Sequence, residues 1–332
     1  MRWLLLPTVV VIPVSLVLGP TERAALPPAF PEGPAQGQAM DVSAAACGKC
    51  HKKIYEQWKQ SLHSQAWTSE VYQAWTKTKS KPQSCYRCHI PMSVIPGAPK
   101  RPAARKTHLD EGVGCASCHV HAGQVWGPHG LQCKHPTKKS KLHQEGIQLC
   151  QSCHRVTPKP VISIGKDFEK AGLAAKGKSC TGCHMPEYED HVAWDPNTGE
   201  PVGKKRKLLS HRFQGRTNPE QIAKAFEFHR HEKGGKLTLR LENKAGHRLP
   251  GLTLRSYTVK FEVVDGTGKV VASQDAVISA DKRQFLMLGE SRTAEFPAPA
   301  KPFKARVTVR HHWKKMKKDK PQETGVVFKA EK

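Results

Sequence analysis

The chain has 332 residues, with Lys+Arg 54 against Asp+Glu 28 and a formal charge of +26. That length accommodates about two domains, and the composition excludes fibrous, collagen-like and multi-span membrane proteins. Any partner met through long-range electrostatics is expected to be anionic.

Arg2 precedes an apolar run, residues 3–19, that is short for a membrane span and interrupted by Pro7 and Pro13. Residues 1–24 are therefore read as a secretory signal peptide. An uncleaved N-terminal anchor is the alternative, because no clean small-x-small cleavage site follows. Residues 25–44, rich in Pro, Ala and Gly without periodicity, read as a flexible linker. The expected destination is the periplasm, the outer membrane surface or the extracellular space.

Residues 45–215 carry the chemistry. Ten of the eleven cysteines fall in five C-x-x-C pairs, each followed at once by His: Cys47, Cys50, His51; Cys85, Cys88, His89; Cys115, Cys118, His119; Cys150, Cys153, His154; Cys180, Cys183, His184. This is the c-type haem attachment pattern, in which two thiols form thioethers and the adjacent imidazole becomes the proximal iron ligand. Zinc also favours C-x-x-C, but closed four-ligand zinc sites give no reason for a His after every second Cys. Five covalent haem c groups are expected. With so many attachment sites in so few residues, the porphyrins must supply much of the domain's buried apolar surface.

Thirteen of the eighteen histidines remain as candidate second axial ligands. Ile54, Trp58, Leu62 and Ala66 recur every four residues, as on the buried face of a helix starting near His51. On that helix His63 lies about 18 Å along the axis, too far to ligate the iron held by His51. It either serves another haem or is an ordinary core or surface histidine. His108 and His143 each stand seven residues before a motif, and the shared offset suggests distal ligation. His211 and His247 lie among the turn formers Gly215, Gly246, Pro250 and Gly251, from which a loop could present each to a haem. His121, His129, His135 and His191 are weaker candidates. Met92 and Met185 are expected to pack, and Cys133, outside any motif, to be a buried free thiol, with an intermolecular disulfide open.

Residues 216–232, with Asn218 as cap and Pro219 in the first turn, read as a connecting helix. Beyond them the pattern alternates: Leu237, Leu239, Leu241; Tyr257, Val259, Phe261, Val263; Phe303, Ala305, Val307, Val309, with a DGTG hairpin turn. Residues 233–332 are expected to form an immunoglobulin-like β-sandwich without its Cys pair. Lys and Arg concentrate at residues 204–207 and 306–320, each either a patch for an anionic partner or a solvated face.

CGKCHKKIYEQWKQSLHSQAW resembles the opening of the cytochrome c554/c-prime family, and EGVGCASCHV, LCQSCH, SCTGCHMP and SHRFQG follow in the order of its multihaem members. NKAGHRLPG resembles the motif that begins the β-domain some of them carry. The resemblance covers about residues 45 to 330. It implies an α+β multidomain protein: a helical, loop-rich multihaem cytochrome c domain with closely packed, mostly bis-His haems, followed by the β-domain. It also implies distal roles for His63 and His211. The lysine-bearing C-x-x-C-K motif of nitrite-reducing relatives is absent. The expected function is exported electron transfer between redox proteins that offer acidic docking surfaces, with anionic lipid or a mineral surface as other partners, and nucleic acid excluded. Two alternatives stand: a redox enzyme acting on a small nitrogen or sulfur compound at one haem with an open axial position, and a subunit of a conductive filament.

Overall fold

The computed structural model describes residues 40–131, 133–155, 163–215, 218–251, 254–280, 284–314 and 319–332. The expected signal peptide and most of the expected linker lie outside these residues. Among the described residues no helix is long and apolar enough to cross a membrane.

The first part is helical and loop-rich. Its helices are α1 (Ala44–Gly48), α2 (Lys52–Lys59), α3 (Glu70–Thr76), α4 (Gln83–His89), α5 (Cys115–His119), α6 (Lys141–Glu145), α7 (Ile147–His154), α8 (Ile164–Lys170) and α9 (Cys180–His184). Each C-x-x-C-H motif occupies a helical turn or its immediate end. At 3.6 residues per turn, positions i, i+3 and i+4 share one face, so both cysteines and the histidine point the same way. The motifs are joined by loops and small strands: β1 (Val120–His121), β2 (Gln124–Gly127) and β3 (Thr137–Lys139) form one sheet. Two ribbons follow, β4 (Glu187–Asp190) with β7 (Arg206–Leu209), and β5 (Ala193–Trp194) with β6 (Pro201–Val202).

After α10 (Pro219–Ala223) the elements among the described residues are all strands: β8 (Phe226–Lys233), β9 (Lys236–Asn243), β10 (Arg255–Asp265), β11 (Val270–Ser279), β12 (Ser291–Pro297), β13 (Phe303–Trp313) and β14 (Gln322–Glu331). Two antiparallel sheets, ordered β11-β10-β13-β14 and β12-β9-β8, share one core. The period-2 alternation places Leu237, Leu239 and Leu241 of β9 against Val259, Phe261 and Val263 of β10 and Ala305, Val307 and Val309 of β13, all essentially without solvent contact. Asp265 closes the β10–β11 hairpin by accepting from the backbone N–H groups of Thr267 and Lys269 at 2.9 and 3.0 Å. The contiguous buried apolar cluster is confined to this region, from Ile222 onward. The buried side chains of the first part, such as Trp58, Ile90 and Phe168, lie outside it.

Four expectations are corrected. The helix expected to carry His63 ends at Lys59, because the Ser64 hydroxyl donates to the carbonyls of Lys59 and Ser61, and the Ser61 hydroxyl accepts from Ser64 N–H. Such local bonds compete with helix continuation, and Leu62 is left exposed. The expected connecting helix over 216–232 is only α10 within the described residues. Asn218 caps it as expected, accepting from Gln221 N–H at 2.8 Å. Phe226 and Phe228 then alternate inward on β8, because period 2 fits the sandwich core. Cys133 is exposed rather than buried, and Met92 is exposed rather than packed.

Candidate haem-binding site

Four complete motifs line one continuous cavity of about 1910 Å³, and the fifth borders it through Thr181 and Met185. A pocket for a single small ligand is typically about 300 to 1,000 Å³, so this space suits several large groups. The thiols of different motifs lie against one another: Cys47 with Cys115, Cys88 with Cys153, and Cys150 with Cys180. Gly146 permits the last approach. It adopts φ +70°, and a Cβ there would meet the Thr181 methyl at 2.4 Å.

The histidines show a common orientation. Nδ1 of His51 donates to Val192 O at 2.9 Å, of His89 to Ala66 O at 2.6 Å, of His119 to Trp126 O at 2.8 Å and of His184 to Gln214 O at 2.5 Å. Each bond fixes the proton on Nδ1 and leaves the Nε2 lone pair for a metal, as metal-bound histidines generally require. His211 and His247 do the same, through Leu209 O at 2.8 Å and Arg248 O at 2.9 Å. Burial depresses the affinity of these rings for a second proton. His63 and His119 are lowered to about 3 and His154 to about 4, mainly by desolvation and then by neighbouring histidines. His89, His135, His143, His211 and His247 are lowered too, again chiefly by burial. Neutral imidazoles are the form that binds iron.

Pairing follows from ring separation. A metal held between two imidazole nitrogens at about 2 Å each sets the ring centres about 6 Å apart. Ring centres lie 6.3 Å apart for His51 and His135, 6.1 Å for His119 and His211, 6.2 Å for His154 and His63, and 6.3 Å for His184 and His247. His89 has no such partner among the described residues. Instead Tyr72 stacks on its ring at 3.7 Å, and Trp67 packs against Tyr72 and Tyr86. The Tyr72 hydroxyl is buried without a hydrogen-bond partner.

The candidate distal residues therefore divide. His63, His211 and His247 each face a motif histidine. His143 is buried and stacks on His119 at 4.9 Å, with its Nε2 on Cys118 O and its Nδ1 unpartnered. His108 is exposed, adopts φ +50°, and does not line the cavity. His135, weak in the sequence, faces His51. No local periodicity marked it, and its place is set by β2 and β3, which hold the following Pro136 through Val125 N–H at 2.8 Å.

The loop bearing His247 is fixed to the haem-motif region. Arg248 Nε and Nη2 each donate to a different Asp167 carboxylate oxygen at 2.6 Å, joining the β-domain to α8.

Residues 46–120 match the family described as cytochrome c554 and c-prime, a span containing the first three motifs. Among solved structures, a penta-haem cytochrome c552 from Thermochromatium tepidum is similar over 87% of this chain and 98% of that chain, at 17% identity and TM-score 0.60, which shows a shared fold. A glycosyl hydrolase family 2 member from Bacteroides cellulosilyticus matches 33% of this chain and 13% of that one, at 14% identity and TM-score 0.21, too distant to carry an argument. No curated protein sequence matches significantly. Motifs, family match and shared fold together support haem c as cofactor and haem-based electron transfer as the chemistry.

Proposed function

We propose that the protein is an exported five-haem c-type cytochrome that carries electrons between redox partners, with four of its sites closed by two imidazoles. The observation carrying this reading is the set of four histidine pairs separated by 6.1 to 6.3 Å, each containing one motif histidine. The ten motif cysteines would hold the haems covalently, and His51, His89, His119, His154 and His184 would bind iron from one side. His135, His211, His63 and His247 would close the other side of four of them. Bound haem irons supply one-electron redox chemistry. The chain's own part is to fix imidazole orientation through the Nδ1–H bonds, to exclude water, and to bring neighbouring motifs into contact. The thiol contacts support the neighbour relations first with third, second with fourth, and fourth with fifth motif. The C-terminal strands are read as an immunoglobulin-like sandwich that donates His247 to the fifth site.

A second reading has its own observation. His89 faces no imidazole among the described residues, which favours a site there that binds a small nitrogen or sulfur compound. Electron paramagnetic resonance of the oxidised protein, with and without cyanide, tests both. Both readings expect four low-spin components and one high-spin component; conversion of the high-spin component to low-spin by cyanide supports a reactive His89 site, whereas a high-spin component that cyanide leaves unchanged supports pure electron carriage.

A further inference from the structure

The two basic stretches of the sequence have different fates in the fold. In the described part of the second, Arg306 reaches Glu331 at 3.1 Å and Glu262 at 4.0 Å and Arg310 reaches Glu323 at 3.7 Å, and Lys304 just before it reaches Glu331 at 2.9 Å. These cross-strand pairs offset the charge of those side chains, while residues 315–318 lie outside the described residues.

The first stretch is different. Lys204, Lys205 and Lys207 are exposed at the start of β7. Lys207 has only a long contact to Glu187, 3.9 Å, and Lys204 and Lys205 form no ion pair among the described residues. Gly203, in the connection between β6 and β7, has open space around it. The segment is nonetheless held against the first motif. Trp194 N–H of β5 donates to Cys50 O at 2.8 Å, Val192 O accepts from His51 Nδ1, and Val202 of β6 pairs with Ala193. Lys53 lies 5.0 Å from the Trp194 ring and pairs with Asp190, and Lys52 and Lys134 both act on Asp195. Around the His51–His135 pair and its two ribbons, Lys52, Lys53, Lys134, Lys204, Lys205, Arg206 and Lys207 outnumber Glu187, Glu189, Asp190, Asp195 and Glu200, and Lys204 and Lys205 form no ion pair with them. Lys134, Lys204 and Arg206 also line the cavity itself.

We propose that this β6–β7 connection and the lysines beside it form the docking surface for an acidic redox protein, with electrons crossing next to His51. The proposal rests on the haem reading above. One electron passes from the partner's reduced centre to the oxidised centre here, with no bond or proton moved. A protein partner fits better than a lipid surface because the positive charge is concentrated over a cofactor cavity mouth, where a redox centre must come close, and a lipid headgroup neither gives nor takes an electron. Complementary charge raises the association rate and makes it fall with salt.

The test is stopped-flow reduction of the oxidised, full-length haem-loaded protein by reduced plant-type ferredoxin as acidic probe, at low and high ionic strength. Lys52→Glu with Lys205→Glu, two exposed lysines outside the cavity lining, should slow the second-order rate about 10-fold at low salt and flatten its salt dependence. Lys269→Glu with Lys329→Glu, the same charge change on the β-domain, should alter the rate less than about twofold. Dithionite should reduce all three proteins fully. Failure with dithionite would remove the haem reading and docking with it. Full dithionite reduction together with a wild-type ferredoxin rate in the Lys52/Lys205 variant, or equal slowing in the control, would overturn the docking surface alone. Loss of binding to vesicles containing anionic lipid with no change in the ferredoxin rate would assign the patch to a membrane, and so overturn it as well.

Discussion

Arg248 and Asp167 form a two-pronged, largely buried ion pair across the junction between the haem-motif region and the β-domain, and Arg248 immediately follows His247. Both guanidinium contacts are 2.6 Å, the Arg248 backbone N–H adds a third at 3.3 Å, and the Asp167 side chain is 5% exposed. The pair fixes the loop that sets the His247 ring 6.3 Å from His184.

Asp167→Asn should therefore act on both stability and the fifth site. Removing one partner of a buried pair typically costs about 3 to 5 kcal/mol, and the 23% exposure of Arg248 reduces that to about 2 to 3 kcal/mol here. Thermal unfolding should show the loss, and the oxidised spectrum should gain a high-spin component as His247 loosens. An unchanged spectrum with normal stability would show that the ion pair does not position His247.

His63→Ala removes the ring facing His154. The expected result is one new high-spin component and a raised potential for that site, because losing a strong imidazole ligand disfavours the ferric state. Spectra of the other sites should persist. A fully low-spin spectrum with unchanged potentials would return His63 to the packing residues of its turn.

Gly112 supports the same turn from outside. At φ +57°, a Cβ would meet His63 O at 2.4 Å, Ser64 O at 2.7 Å and Ala66 N at 2.8 Å, while Val113 N–H donates to His63 O at 2.8 Å. Gly112→Ala should destabilise the protein by about 2 kcal/mol or more, read as a fall in Tm, and should reproduce part of the His63→Ala spectrum. Wild-type Tm and spectrum would contradict this packing.

The motif geometry was legible in the sequence, because C-x-x-C-H constrains a single helical turn wherever it occurs. The placement of His63 away from its own motif was legible, and its ring lies 6.2 Å from that of His154, although the helix expected to carry it was not, since Ser61 and Ser64 end it by local bonds that hydrophobic periodicity does not register. The equal offsets of His108 and His143 misled. His108 sits in a left-handed turn facing solvent, and His143 sits buried in α6, so shared spacing did not mean shared placement. His135 was not legible because a separate sheet, formed by residues distant from the first motif, determines where it lies. In the β-domain the alternation on β9, β10 and β13 was plain. On β8 the cap at Asn218 signalled a helix, and only the Phe226–Phe228 alternation marked how soon it ends.

Acid should weaken the fold in a defined window. In the haem-loaded protein His63, His119 and His154 would share Nε2 with iron, so the folded chain takes no proton there, whereas an imidazole released on unfolding takes one below its ordinary value of about 6.5. The unfolded state then binds more protons than the folded state, so stability is present above about 6.5 and falls as the pH drops below it. Denaturant unfolding at stepped pH should show stability falling from about pH 6.5 downward, and a flat profile would contradict ligated, neutral rings.

The central claim is that four sites have two imidazoles and the His89 site has one. Spin-quantified electron paramagnetic resonance of the fully oxidised, full-length protein tests it most directly. Four low-spin ferric centres and one high-spin centre per chain is the predicted result. Five low-spin centres, or two or more high-spin centres, would contradict it.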